Sequence, residues 1–340
     1  MKISDFDYYL PEGLVAQEPV TPRDNSKLMV VDRKRQKIEH RIFRHIVDFL
    51  HKGDLLVLND AKVFPARLTG KKELTGGKVN LLLIEKENNT LWRCLIQGSG
   101  RIREGLKIAF GDGRLRGEIK AFQDGVWRVR FDHDGELTDI LRKIGEVPLP
   151  PYIKTPTEVS KRRYQTIYAK REGAIAAPTA GFHFTKKLLK SIEEKGVSVA
   201  IITLLVGKGT FIPVKTETVE EHRMEEEYFE LKKEQIDKIN NQLKNRDRII
   251  AVGTSTVRTL ESAYKNGEIQ PTAGKTSLFI YPGYKFRVVN TLITNFHLPK
   301  STPLLLTCAF AGRELILKAY QEAIDKGYRF YSFGDAMLII

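Results

Sequence analysis

The chain has 340 residues, of which 41% are hydrophobic and 29% are charged, which is typical of a globular protein and excludes a disordered chain. Its two cysteines, Cys94 and Cys308, lie far apart, which argues against a disulfide framework and a cysteine-based zinc site. The N-terminal residues contain acids and no apolar signal-peptide core, and the longest apolar run, residues 303–310, is too short to span a bilayer. We therefore expect a cytoplasmic protein with no membrane segment and no metal site.

The net charge of +14 indicates the kind of partner rather than the fold. A polyanion such as RNA is the first candidate, because neutralising phosphates releases counterions and drives association. The alternative is an enzyme that is basic in composition without a polyanionic partner. Charge alone leaves both interpretations open.

Apolar patterning in the first part of the chain predicts strands at residues 27–31 and 54–58, with a helix at residues 43–50 between them. From residue 61 the pattern changes to short alternating runs separated by glycine turns. These runs predict strands at residues 79–84, 91–96, 106–110, 117–122 and 126–131. Such strands are typical of a small antiparallel barrel. A predicted helix at residues 137–144 and the proline-rich segment 147–152 follow.

The chain after residue 151 alternates between strands and helices. The predicted strands are residues 198–206, 248–252, 278–281, 288–294 and 328–332. The predicted helices are residues 184–195, 232–243 and 256–264, with another inside residues 311–326. This alternation favours an α/β sheet. We predict a mixed-sheet α/β domain made of residues 1–60 and 151–340, with an inserted β-barrel-like domain at residues 61–150.

Residues 176–184 (AAPTAGFHF) place polar groups where packing does not require them. Thr179, Gly181 and Phe182 belong to a tight loop of small residues that would let a ligand approach the backbone. The helix predicted to follow would direct free N–H groups at an anion or carboxylate. His183 is either a general acid/base or a partly buried histidine whose hydrogen bonds are satisfied within the protein.

Two further loops follow predicted strands. Gly207, Gly209 and Thr210 follow the strand at residues 198–206, although a lone G-x-G also occurs in plain turns. Gly253, Thr254 and Ser255 lie between a strand and a helix, at the end of the sheet where open α/β folds bind ligands.

Arg258 and Glu261 follow on one face of that helix, where they either contact a ligand or pair with each other. No Walker A pattern is present in the sequence, which argues against an ATPase.

Two segments near the C-terminus end predicted strands with polar residues. Asn295, Phe296 and His297 follow the strand predicted at residues 288–294, and Tyr331 and Asp335 lie in the aromatic segment 328–337. Aromatic rings at such positions either fill the core or stack on a base.

Together these segments resemble the S-adenosylmethionine:tRNA ribosyltransferase-isomerase family of queuosine biosynthesis. The matching strings are RDNSKL (23–28), GDLLVLNDAKVFPAR (53–67), VPLPPYI (147–153), RYQTIYA (163–169), AAPTAGFHF (176–184), GKGTF (207–211), VGTSTVRTLE (252–261), FIYPGY (279–284), TNFHLPKS (294–301) and YRFYSFGDAM (328–337). They cover the chain except for its barrel-like middle.

The resemblance implies an enzyme that uses S-adenosylmethionine as a source of ribose. The acceptor would be the 7-aminomethyl-7-deazaguanine base (preQ1) at the wobble position of tRNA. The ribose carbons would become an epoxycyclopentane, giving epoxyqueuosine in tRNA, while adenine and methionine leave. The resemblance therefore implies tRNA carrying preQ1 as the partner, S-adenosylmethionine as a substrate, and no cofactor or metal.

Two positions depart from the family pattern. The family commonly has a histidine at the position of Leu205, and another in an HxMHxE segment at the position of Glu225. Neither position carries an imidazole here, which leaves His183, His297 and His222 for that role, unless Glu225 substitutes. Alternatively, this member is altered in function.

The sulfonium donor requires a base at C5′ and protonation of the departing adenine, which are acid–base tasks. We predict that His183 and His297 perform them, with Asp335 and Glu261 near the cation. The residues predicted to bind or stack on the substrates are Thr179, Gly181, Phe182, Gly207, Gly209, Thr210, Gly253, Thr254, Ser255, Arg258, Asn295, Phe296 and Tyr331.

Two other functions remain open at this point. A methyltransferase acting on RNA would use the same donor, although the expected acidic residue after its second strand is not evident. A non-catalytic RNA-binding protein would need the charge but not the polar loop ends.

Overall fold

The structure is a computed structural model that describes residues 1–207, 214–270 and 273–340, so Gly209 and Thr210 lie outside the described residues. The strands are β1 (Lys27–Asp32), β2 (Lys37–Ile42), β3 (Leu55–Asn59), β4 (Ala61–Val63), β5 (Arg67–Lys72), β6 (Lys78–Lys86), β7 (Leu91–Gly98), β8 (Lys107–Phe110), β9 (Leu115–Gln123), β10 (Val126–Asp132), β11 (Arg171–Ala174), β12 (Ser198–Leu204), β13 (Glu227–Glu230), β14 (Ile249–Val252), β15 (Tyr264–Lys265), β16 (Glu268–Ile269), β17 (Ala273–Thr276), β18 (Thr291–Asn295) and β19 (Ala336–Ile339). The α-helices are α1 (Leu137–Ile144), α2 (Glu158–Arg163), α3 (Lys186–Glu194), α4 (Lys233–Asn245), α5 (Thr254–Ala263), α6 (Thr302–Ala311) and α7 (Arg313–Asp325). Within the described ranges, no helix is long and apolar enough to cross a membrane.

The chain divides into two compact units. The first comprises Met1–Lys62, Pro150–Arg171 and Ala177–Ile340, and the second comprises Val63–Leu149 and Glu172–Ala176.

The first unit is built on a nine-stranded sheet with the order β17-β13-β12-β3-β14-β18-β19-β1-β2. Strands β12, β3, β14 and β18 run parallel to one another, so their carboxyl ends meet along one edge. We call this the carboxyl edge and define it by the last residues of the four strands, Leu204, Asn59, Val252 and Asn295. Strand β19 runs antiparallel to β18 and β1 runs parallel to β19, so both begin at the same edge.

Helical segments cover both faces of this sheet, which explains why every residue of β3 is buried. On one face, Leu56, Ile250 and Ile293 pack against Phe184 and Leu188, in the segment that leads into α3 and in α3 itself. On the other face, α5 packs against β12, β14 and β3. Each fully buried aliphatic side chain contributes roughly 1.5–3 kcal/mol, so this two-sided core holds the carboxyl edge in place.

The second unit contains a closed barrel of six strands in the order β10-β7-β6-β5-β8-β9, all paired antiparallel. Buried and exposed residues alternate along β5 and the first half of β9, as expected when one side of each strand faces the interior. Closure pairs every edge strand, which removes the unpaired backbone groups that promote aggregation.

The predicted fold class, a mixed-sheet α/β domain with a β-barrel-like domain, is confirmed. The strands predicted at residues 278–281 and 328–332 are wrong, because both segments are irregular. Their aromatic residues pack on other rings, since Phe279 contacts Tyr281, and Tyr328 and Phe330 contact Phe296. Phe330 also forms an isolated parallel bridge to Val15. The helix predicted inside residues 311–326 is α7, which Gly312, with a φ of +90°, separates from α6.

The barrel interior leaves no room for a side chain at Gly70. A Cβ atom there would lie 2.5 Å from Phe110 Cδ1 and 2.6 Å from the carbonyl oxygen of Ala109. We predict that Gly70→Ala lowers the free energy of unfolding by about 1–3 kcal/mol. Fluorescence-detected denaturation measures this, because both tryptophans, Trp92 and Trp127, belong to the barrel strands.

Gly13→Ala is the control, because nothing lies within 4 Å of its Cβ position and its φ is not positive. We expect it to change stability by at most about 0.5 kcal/mol. Equal effects of the two substitutions would contradict the packing described for the barrel.

Candidate functional site

Asn59, the last residue of β3, joins the ends of two neighbouring elements at the carboxyl edge. Its side-chain oxygen accepts hydrogen bonds from the backbone N–H groups of Ala61 and Leu204, each at 3.1 Å. Its amide donates to the carbonyl of Leu204 at 3.0 Å and to the hydroxyl of Ser255 at 3.1 Å. Asn59 therefore fixes the end of β12 against the first turn of α5.

Asn295, at the end of β18, forms the corresponding junction with the loop that carries His183. Its amide Nδ2 lies 3.3 Å from the carbonyl oxygen of Tyr331 and 3.2 Å from His183 Nε2. Because the carbonyl of Tyr331 can only accept a hydrogen bond, the Asn295 atom facing it must be the amide nitrogen, which fixes the orientation of this side chain. Its Oδ1 accepts from the hydroxyl of Thr179 at 3.0 Å.

The same contacts determine the tautomer of His183. Nε2 accepts from the amide of Asn295, so the proton is on Nδ1, which lies 2.7 Å from the hydroxyl of Ser26. Burial, followed by the positive charges of Arg329 and Arg23, lowers the pKa of His183 to about 3. The imidazole is therefore neutral near neutral pH, and both of its nitrogens are engaged.

The first turn of α5 completes this part of the edge. Gly253 has a φ of +91°, a conformation that favours glycine, and its N–H donates to the carbonyl of Ile293 at 2.8 Å. A Cβ atom on Gly253 would lie 3.6 Å from the Cβ of Ala180, so the loop of His183 lies against the start of the helix. Thr254 and Ser255 are partly exposed in that first turn, where backbone N–H groups lack helical partners.

Asp335 also lies at this edge, but its carboxylate contacts main chain. One oxygen accepts from the N–H of Lys27 and the other from the N–H of Arg329, both at 2.8 Å. Burial raises the pKa of Asp335 despite these bonds. The carboxylate fixes the segment after Tyr328 against the start of β1.

The structure does not bring His297 into this cluster. Neighbouring residues of a strand point to opposite faces of the sheet. In β18, the side chain of Asn295 contacts His183, whereas the hydroxyl of the preceding Thr294 lies 3.1 Å from His297 Nε2. The other ring nitrogen lies 3.3 Å from the hydroxyls of Thr307 and Tyr320, in α6 and α7. Burial lowers the pKa of His297 to about 3. His183 and His297 thus belong to opposite faces of the sheet.

Glu261 and Arg258 lie deeper along α5, and the alternative that they pair with each other is wrong. Glu261 accepts hydrogen bonds from the N–H groups of Arg287, Val288 and Val289, so it orders that loop. Arg258 instead forms a buried ion pair with Glu227, and the other oxygen of Glu227 accepts from the N–H of Gly207 at 2.8 Å.

The aromatic residues predicted to stack on substrates pack against protein groups. Phe296 is fully buried among rings that include Tyr320 and Phe330. Phe182 stacks on Phe333 at 5.9 Å. Tyr331, with a φ of +70°, lies 4.8 Å from the ring of Tyr152.

Gly181 is required by packing. A Cβ atom there would lie 2.0 Å from the hydroxyl oxygen of Tyr168. That hydroxyl is buried and has no hydrogen-bond partner among the described residues.

Sequence reasoning did not assign three residues that organise the site: Ser26, Asn59 and Glu227. Asn59 carried a signal, since it is a polar residue directly after the apolar run at residues 55–58. Ser26 lies within the matching string at residues 23–28 and Glu227 ends the segment compared with the HxMHxE pattern, but nothing local distinguishes either residue. Across the described ranges, no group of three or more His, Cys, Asp or Glu residues is arranged to hold a metal ion.

Comparison with known proteins finds relatives that match over nearly the whole chain. A family model described as queuosine biosynthesis protein matches residues 3–339. The chain belongs to the queuosine biosynthesis protein family. The resemblance stated from the sequence is thereby confirmed.

Individual relatives of this family are similar over their full length. Proteins named S-adenosylmethionine:tRNA ribosyltransferase-isomerase from Desulfitobacterium hafniense and Acetivibrio thermocellus are 51% and 50% identical, with all of this chain and all of each relative covered. A crystal structure of S-adenosylmethionine tRNA ribosyltransferase from Thermotoga maritima matches with a TM-score of 0.58 and 39% identity, over 99% of this chain and 100% of that one.

The two departures from the family pattern lie on neighbouring segments. The N–H of Leu205 donates to the carbonyl of Tyr228 at 2.9 Å, and Glu225 precedes β13 by two residues. His222 is partly buried with its ring 5.0 Å from that of Phe279, and burial lowers its pKa. Leu205 and Glu225 thus flank the contact between Gly207 and Glu227.

The buried histidines predict that acid destabilises the fold. The pKa values of His183 and His297 fall from 6.5 to about 3, so between these values the unfolded chain binds protons that the folded chain does not. We predict that the free energy of unfolding is fully expressed above about pH 6.5 and falls as pH decreases, by up to about 1.4 kcal/mol per pH unit for each histidine. Urea denaturation at several pH values measures the slope.

His183→Gln should make this slope shallower by up to one histidine's contribution. His45→Gln is the control, because the side chain of His45 is 54% exposed. Parallel slopes for wild type and His183→Gln would contradict a neutral, buried His183.

Proposed function

We propose that this protein transfers and isomerises the ribosyl moiety of S-adenosylmethionine onto preQ1 at the wobble position of tRNA. The products would be epoxyqueuosine in tRNA, adenine and methionine. The observation that carries the proposal is that two buried hydrogen-bonded pairs, Asn59 with Ser255 and Asn295 with His183, lie at the carboxyl edge of a chain whose relatives bear this enzyme's name. S-adenosylmethionine is proposed as a substrate, with no cofactor and no metal.

The donor is proposed to bind across the start of α5, where Gly253, Thr254 and Ser255 present hydroxyls and N–H groups. Asn59 bonds Ser255 and the end of β12, and the N–H of Gly253 donates to the carbonyl of Ile293 in β18, so the turn is held against both strands. Because these supports are buried in packed strands, the turn is held in place before the donor arrives.

His183 is proposed as the general base of the edge. A base must be unprotonated, and the neutral ring meets that condition. Its unprotonated Nε2 faces the amide of Asn295, so a rotation of this amide toward the donor would release the nitrogen's lone pair. His297 faces the opposite side of the sheet, and we therefore no longer propose it as an equal candidate.

Release of adenine and methionine tests the reaction. Incubation with S-adenosylmethionine and tRNA that carries preQ1 should yield both products in equal amounts, with the modified base detected by mass analysis of the tRNA. Formation of S-adenosylhomocysteine and a methylated tRNA would instead support a methyltransferase. Binding of tRNA with none of these products would support a non-catalytic RNA-binding protein.

The two histidines provide a matched pair of variants. We predict that His183→Gln lowers kcat by about 10²–10⁴-fold while donor binding is retained, the range usual for loss of an acid/base group. His297→Gln removes an equally buried imidazole from the other face of the sheet and should keep kcat within about tenfold of wild type. Steady-state kinetics on folded variants measure this, and equal losses of kcat would contradict the assignment.

Binding of tRNA should weaken steeply with salt, because a chain of net charge +14 is proposed to neutralise phosphates around the extruded base. A titration of tRNA at several salt concentrations gives the slope of log K against log salt. A flat response would contradict binding through phosphates.

A further inference from the structure

A small pocket on the far side of His183 from Asn295 is lined by an unusual concentration of positive charge. Its wall includes Arg23, Arg163 and Arg329, together with Ser26, His183 and Ser332. The cavity volume is about 20 Å³, close to what one water-sized group needs and far below the roughly 300–1,000 Å³ usual for pockets that hold a whole small molecule. The pocket therefore suits one chemical group of a larger ligand.

The three guanidinium groups are held in place by neutral oxygens. Arg23 donates to the carbonyl of Gln165 at 2.8 Å, and Arg163 donates to the carbonyl of Val20 at 2.8 Å and the hydroxyl of Thr21 at 2.7 Å. Within the described residues, neither arginine forms an ion pair with a carboxylate.

Arg329 differs from the other two arginines, because it forms a long ion pair with Asp335 in addition to its hydrogen bonds to neutral oxygens. It donates to the carbonyls of Glu18 and Phe333 at 3.1 and 3.0 Å. Its nearest carboxylate oxygen, on Asp335, lies 3.9 Å away and already accepts from the N–H of Lys27. The pocket is therefore left with a surplus of positive charge.

This surplus opposes folding unless something offsets it. Burial and the neighbouring Arg163 lower the pKa of Arg23 to about 10, which records the unfavourable environment. Like charges that are partly withdrawn from water repel, and an anion between them removes that penalty. The three arginines therefore favour the binding of an anion between them.

Hydrogen-bond donors remain available for such an anion. Arg163 and Arg329 each use two of the five N–H donors of a guanidinium on the protein bonds named above, which leaves three on each. Ser26 adds another, because its oxygen accepts from His183 Nδ1 and its own proton is free to donate. Planar guanidinium forks match the geometry of phosphate and carboxylate.

We propose that this arginine pocket binds a single oxyanion group of one of the two substrates. The group is either a phosphate of the tRNA or the carboxylate of S-adenosylmethionine, and the inference rests on the proposed function. An anion there would contact Ser26 beside His183, and it would offset the positive charge that Arg329 and Arg23 place on the imidazole. The pocket would thus link substrate binding to the residue proposed for acid–base chemistry.

The test compares Arg163→Gln, Arg163→Lys and the control Arg33→Gln. Arg33 is also a half-buried arginine, and it donates hydrogen bonds to the carbonyls of Phe310 and Asn290. It follows the last residue of β1, whereas the carboxyl edge lies at the first residue of that strand. The glutamine variants each lose one charge and two hydrogen bonds, and Arg33→Gln also loses the contact of its guanidinium with the ring of Phe310 at 4.3 Å. Thermal unfolding establishes that each variant is folded.

Binding of each substrate is then measured separately. If the anion is a phosphate, Arg163→Gln weakens tRNA binding about tenfold or more, while S-adenosylmethionine binding is unchanged. The slope of log K for tRNA against log salt becomes shallower by about one, the loss of one phosphate contact. If it is the carboxylate, Arg163→Gln weakens S-adenosylmethionine binding to a similar extent but leaves decarboxylated S-adenosylmethionine unaffected. Arg163→Lys should lose less than Arg163→Gln in either case, because it keeps the charge.

Inorganic phosphate provides a readout that does not depend on Arg163→Gln folding. It should raise the unfolding temperature of wild type and of Arg33→Gln more than that of Arg163→Lys. The inference is overturned if Arg163→Gln and Arg33→Gln bind both substrates alike, or if phosphate affects all folded variants equally. If the wild type releases adenine but Arg163→Gln binds both substrates as Arg33→Gln does, the inference about the pocket is wrong and the proposed function stands. If the wild type binds neither substrate, the proposed function is wrong as well.

Discussion

The carboxyl edge depends on two buried asparagines that end parallel strands. Asn59 and Asn295 close β3 and β18, and each has to satisfy its amide inside the protein because burying an unpaired polar group costs about 1–3 kcal/mol. Asn59 does so on Leu204 and Ser255, and Asn295 on Thr179, Tyr331 and His183. The same bonds that satisfy the amides therefore hold the site's loops at fixed positions.

This constraint also sets the state of the histidine. Because the amide of Asn295 donates to Nε2, the neutral tautomer with its proton on Nδ1 is selected, and burial beside two arginines keeps it neutral. The proton on Nδ1 in turn leaves the hydroxyl of Ser26 directed to other partners. Protonation at the edge and charge in the arginine pocket are thus coupled through one imidazole ring.

Local sequence patterns predicted those parts of the fold that local forces determine. The helix predicted at residues 137–144 matches α1, and the alternating runs separated by glycines predicted five of the six barrel strands, all except β5. The aromatic segments at residues 278–281 and 328–332 resembled strands, but both are irregular: the rings of Tyr328 and Phe330 fill the core, and those of Phe279 and Tyr281 pack on each other while partly exposed. Propensity alone does not separate these outcomes, because aromatic residues favour both.

Candidate residues were predicted as sets of neighbours in the sequence, whereas the site joins residues far apart in it. Asn295 and His297 lie two residues apart, yet their side chains serve opposite faces of the sheet. Arg258 pairs with Glu227, 31 residues away, instead of Glu261 on its own helix face. Such choices depend on strand order and burial, which the spacing of residues in one sequence does not contain.

A crystal structure with a stable analogue of S-adenosylmethionine would show directly whether the donor binds at the carboxyl edge. We expect density for the nucleoside at this edge, against the first turn of α5, with polar atoms within hydrogen-bond distance of Ser255 and of Asn295 or Thr254. Density for the nucleoside on the opposite face of the sheet beside His297, or away from the ends of β3, β14 and β18, would contradict it.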